Sequence, residues 1–79
     1  MNISRDKLNE YITLYLNDME DYGDDPEFGI LAESMLIPLK NLITETKISQ
    51  VNIHEISSII KNKEVSQDFV SYLQICLAS

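Results

Sequence analysis

The stretch SRDKLNEYITLYLNDMEDYGDDPE, Ser4 to Glu27, decides how this chain reads. Leu8, Tyr11, Ile12, Tyr15, Leu16, Met19 and Tyr22 recur at the i, i+3, i+4, i+7 spacing of a single helix face. Ser4 is a good N-cap, Asp6 sits in the electropositive first turn, and Ile3 and Leu8 occupy the two positions of a hydrophobic staple. Gly23 stands where a left-handed residue would stop the helix. A new start follows at once: Asp25 can cap, Pro26 suits the first helical position, and Glu27 complements the dipole. The spacing therefore predicts a helix from about Ser4 to Tyr22, a short acidic connection, and a second helix from Pro26.

The rest of the chain continues in the same idiom. Phe28, Leu31, Ala32, Met35, Leu39, Leu42 and Thr46 share a face of the second helix, while Ile30, Leu36, Ile37 and Ile43 spill beyond it. A helix apolar around so much of its girth is either central or buries a second face against another chain. Pro38 lacks an N–H and presses on the carbonyl of Ser34, which predicts one bent helix over Pro26–Thr46 or two helices divided near Leu36–Pro38. Asn52 and Glu55 have capping-box spacing ahead of Ile53, Ile56, Ile59 and Ile60, so a third helix begins near Asn52. The isoleucines of residues 48–60 also permit a strand, but Glu55–Ser58 breaks the alternation. After a polar turn at Lys61–Glu64, Ser66 is expected to cap a fourth helix, with Val65 and Val70 as staple and Phe69, Tyr72, Leu73, Cys76 and Leu77 inward. The expected fold is all-α: a small four-helix bundle, kinked or broken at Pro38, in one domain over residues 1–79.

The chain has 79 residues, and 44% of them are hydrophobic. A chain of this size can bury roughly 63% of its unfolded surface, enough for a core without metal or disulfides. The single cysteine, Cys76, excludes an internal disulfide framework and suits a reducing compartment. No stretch has the length of a membrane span and the first residues do not resemble a signal peptide, so a cytoplasmic location is expected.

Charge is unevenly placed. The net charge is −7, and residues 1–46 carry all of it, with ten acids against three bases. Six of those acids lie between Asp18 and Glu27: Asp18, Glu20, Asp21, Asp24, Asp25 and Glu27. Nucleic-acid and anionic-membrane contacts begin with Lys and Arg, so neither is expected. A basic protein surface is the complementary partner.

Residues that carry chemistry are sparse. His54 is the single histidine and has no orienting partner at helical spacing, so a solvated imidazole is expected. Cys76, between Ile75 and Leu77, reads as a small packed side chain. With Gly23 at the sixth position of an EF-hand loop, Tyr22 and Gly29 fall where oxygen ligands are required, so no metal site is expected. Asp18 with Asp21, or Asp21 with Asp25, has no apolar pocket to separate its pKa values. Gly23 and Gly29 form no phosphate cradle, and a helix-turn-helix would place Ser66-Gln67-Asp68-Phe69, without a base, at the head of its reading helix. Neither a catalytic function nor a cofactor follows from these residues.

Glu33-Ser34-Met35-Leu36 resembles the Asp-Ser-Leu site of acyl and peptidyl carrier proteins, which are also small acidic four-helix domains. The resemblance implies phosphopantetheine on Ser34. It covers only these residues with size and charge: glutamate stands for the aspartate, methionine for the leucine, and Ile30-Leu31-Ala32 for a glycine-containing loop. The helix start at Pro26 also puts Ser34 inside the helix instead of at its head.

The reading that best joins these features is a non-catalytic protein-binding module of the inhibitor, immunity-protein or antitoxin kind. Its expected contact residues are Tyr15, Asp18, Glu20, Asp21, Tyr22, Asp24, Asp25 and Glu27, facing a basic partner such as a nuclease, a toxin or another nucleic-acid-binding protein. Two alternatives are a carrier-like protein modified at Ser34 and a homodimer joined through Ile30, Leu36, Ile37 and Ile43 of helix 2.

Overall fold

A computed structural model describes residues 2–23, 25–47 and 49–78, with every side chain among them except that of Tyr22. The chain forms β1 (Asn2–Ser4), α1 (Arg5–Tyr22), α2 (Pro26–Glu45), β2 (Gln50–Asn52), α3 (Ile53–Ile59) and α4 (Lys63–Ala78). It is an all-α four-helix bundle to which two three-residue strands are added.

The local signals for α1 act as their chemistry requires. Ser4 Oγ accepts the N–H of Lys7 at 3.2 Å, and Leu8, Ile12 and Tyr15 bury the stripe. The stop at Gly23 works differently from the expectation. Gly23 is extended, at φ −72° and ψ 132°, and its N–H donates to Met19 O at 3.0 Å. Glycine suits the site for a steric reason instead: a Cβ would collide with the Met19 carbonyl oxygen. Asp25 Oδ1 then accepts the N–H groups of Glu27 (3.1 Å) and Phe28 (3.3 Å), with Pro26 in the first turn.

α2 runs through Pro38 unbroken. Pro38 and Ser34 are both exposed, so water can reach the Ser34 carbonyl that proline leaves without a donor. The buried face is Ala32, Leu36, Leu39 and Ile43. This corrects the sequence reading: Leu36 and Ile43, expected as surplus, are 0% and 3% exposed, whereas Leu42, expected inside, is 42% exposed. A helix apolar on most sides does not specify its own rotation; the packing of α1 and α4 against it does. Of the four residues expected to join two copies, only Ile30 and Ile37 remain exposed.

The strands are the main addition to the expected architecture. β1 and β2 pair antiparallel with Ile3 opposite Val51, and both side chains are buried. Arg5 extends the clasp, donating from its N–H to Ser49 O and from its guanidinium to Thr46 O, each at 3.0 Å. β2 falls within residues 48–60, where a strand is the alternative set aside for a helix; three residues hold too little alternation to decide it, and the pairing joins segments far apart in the chain. Asn52 closes β2 and caps α3, accepting the His54 N–H at 2.8 Å.

The start of α4 is a second correction. Asn62, not Ser66, is the capping side chain: its Oδ1 accepts the Val65 N–H at 3.0 Å, and the helix begins at Lys63. Ser66 is instead buried, 5% exposed, with its hydroxyl directed to Ser57 O at 3.5 Å. Phe69 and Leu73 are fully buried, and Tyr72, Cys76 and Leu77 are partly buried.

Candidate docking surface

α1 and α4 meet through aromatic rings, and this contact organises the acidic side chains. Tyr15 packs its ring against Phe69 and Tyr72, with centroids 5.1 Å apart in both pairs and interplanar angles of 59° and 56°. Its hydroxyl donates to Asp68 Oδ2. Tyr72 in turn directs its hydroxyl to Asp18 Oδ2 at 3.4 Å. Two tyrosines thus bridge from the packed interior to two surface carboxylates, each on the opposite helix. Burial first, then the hydrogen bond and negative charge of Asp68, hold the Tyr15 pKa far above its ordinary value. Tyr72 is pushed up to about 12 by burial first, then by Cys76 and the Asp18 carboxylate. Both hydroxyls therefore remain protonated donors at neutral pH.

Asp68 also borders an open cleft of about 440 Å³, lined by Asp25, Phe28, Glu64, Gln67 and Ser71 besides. Asp18 and Asp25, from the acidic run, are in this way linked through Tyr72, Tyr15 and Asp68 to Glu64 of α4. The result is a carboxylate face drawn from α1, the start of α2 and α4. Glu64 and Asp68 belong to the half of the sequence that is neutral overall, so the charge distribution along the chain does not point to them. Their one signal was i, i+4 spacing along an edge of α4; that Asp25 lies opposite is a tertiary fact.

The other expected contact residues disperse. Tyr15, at 4% exposed, belongs to the core and touches the acidic face only through its hydroxyl. Asp21 and Glu27 are exposed. Glu20 lies in a separate groove between α1 and α2, with Glu33 and Lys40. Asp24 and the side chain of Tyr22 lie outside the described residues. His54 is exposed, and Ser34 sits in the body of α2 with its hydroxyl donating to Leu31 O at 2.7 Å.

The α1/α2 groove has its own peculiarity in Gly29. This helical glycine has no positive φ, and nothing lies within 4 Å of the place a Cβ would occupy. Glycine in a helix costs about 1 kcal/mol relative to alanine, and no contact within the fold requires it here.

Among the described residues, no three His, Cys, Asp or Glu side chains gather to hold a metal ion, and no helix is long and apolar enough to cross a membrane. The ion pair present among them is Lys7–Glu10, at 3.6 Å. No protein-family model matches the chain, and neither a curated protein nor a solved structure is significantly similar to it.

Proposed function

We propose that this chain is a non-catalytic protein-binding module whose carboxylate face, Asp18, Asp25, Glu64 and Asp68, docks on a basic surface of a partner protein. The observation that carries the reading is the lack of compensation: among the described residues, none of these carboxylates has a Lys or Arg within ion-pair distance. Like charges held together on one face raise the energy of the free protein, and a cationic partner relieves it. The tyrosine bridges support the same reading, since they fix the positions of Asp18 and Asp68 at little entropic cost on binding. A partner that binds nucleic acid suits this face, because its phosphate-binding surface is basic. Inhibitors, immunity proteins and antitoxins of nucleases or toxins are the class implied.

The test uses a partner captured from the native cell and then purified. Its association rate with the chain should fall steeply between low and high salt, and fall again, by tenfold or more, in the variant Asp18→Asn/Asp25→Asn/Glu64→Gln. Asn at position 25 keeps the α2 cap, and Asp68 is left in place for Tyr15, so the thermal midpoint should move little. Association indifferent to both salt and the triple change would overturn the proposal.

A further inference from the structure

The groove between α1 and α2 is lined by those helices and their connection, and it does not belong to the carboxylate face. It has a volume of about 620 Å³; Leu16, Met19 and Ile30 give it an apolar lining, Gly29 opens it, and Glu20 and Glu33 add negative charge. Leu16 and Met19 are half-buried, but Ile30 is 70% exposed. We propose that this groove receives an amphipathic helix of the partner, its apolar residues seated on Leu16, Met19 and Ile30 and its Lys or Arg residues directed to Glu20 and Glu33. The inference rests on the reading of the chain as a binder of basic proteins and adds a second, apolar contact to it.

Three observations select this occupant. A furrow between two packed helices has the shape that accepts the ridge of a third, and Leu16, Met19 and the exposed Ile30 offer its apolar side a seat. Glu20 and Glu33 outnumber Lys40 in the lining and form no ion pair among the described residues, so the complementary helix is basic. Gly29 gives up helix propensity without any return inside the fold, and its missing side chain leaves the groove open to close approach. A second copy of this chain is the poorer match, since it would bring another −7 of charge.

The experiment is a titration of the isotopically labelled full chain, followed by amide NMR shifts. The probes are an 18-residue Leu/Lys peptide patterned as an amphipathic helix and a scrambled isomer of equal charge. The amphipathic peptide should shift Leu16, Met19, Glu20, Ile30 and Glu33 and bind at least tenfold more tightly than the isomer. Ile30→Glu, an exposed change that adds a favourable charge for a basic peptide, should nonetheless weaken binding tenfold or more; Gly29→Leu should do the same by filling the groove. Equal affinity of the two peptides, unchanged or tighter binding by Ile30→Glu, no binding, or occupation of the groove by self-association would each overturn the groove proposal. Shifts confined to the surroundings of Asp18, Asp25, Glu64 and Asp68 would overturn it while leaving the carboxylate-face reading standing. That reading fails separately, by salt-independent association with the native partner.

Discussion

The Tyr15–Asp68 bond is the point at which core and candidate surface are joined, and its two halves should respond unequally to mutation. Tyr15→Phe keeps the ring against Phe69 and Tyr72 and removes only the hydroxyl. The carboxylate left behind is on an exposed residue, so water replaces the lost donor. A hydrogen bond to a charged acceptor contributes about 1.5–3 kcal/mol, and rehydration of Asp68 places the loss at the lower end, about 1.5 kcal/mol. For a domain of this size that lowers the thermal midpoint by roughly 6–12 °C. Asp68→Ala should cost more, about 2–3 kcal/mol, because it strands a hydroxyl on a residue only 4% exposed. Denaturant unfolding of the two single variants and the double variant closes a cycle whose coupling should be about 1 kcal/mol or more. Alkaline titration supplies an independent readout. Because the folded-state pKa of Tyr15 lies above the unfolded value of 10.0, the stability it contributes is complete below that pH and is lost as pH rises beyond it. The loss approaches about 1.4 kcal/mol per pH unit for this one group, and Tyr15→Phe should remove that component. A coupling of zero, together with the same alkaline slope in wild type and Tyr15→Phe, would refute the assignment of this bond as a stabilising bridge.

Other substitutions test the packing. Leu36→Ala, at a fully buried site, should destabilise by about 2–5 kcal/mol, whereas Leu42→Ala, 42% exposed, should cost about 1 kcal/mol or less; equal costs in chemical denaturation would show that α2 is rotated otherwise. The two glycines should respond with opposite signs. Gly29→Ala should raise stability by up to about 1 kcal/mol, there being open space for the Cβ, and Gly23→Ala should lower it because the new methyl meets the Met19 carbonyl. Thermal melts of both variants decide this, and a gain at Gly23 would contradict the steric account.

The helices were legible along the chain. Caps at Ser4, Asp25 and Asn52 act where their side-chain oxygens can reach the next N–H groups, and apolar spacing set α1, α2, α3 and the body of α4, because these signals operate within a few residues. At the start of α4 the expected cap, Ser66, is buried and Asn62 caps the helix instead, and burial is not a local property. The pairing of Ile3 with Val51, the choice of Leu36 and Ile43 over Leu42 as the inner face of α2, and the meeting of Asp25 with Glu64 and Asp68 all depended on elements distant in the chain. Short-range hydrogen bonding and helical period can be read along a line of residues. Which of several apolar sides turns inward, and which carboxylates then share a face, follow only from how the helices fill space against one another.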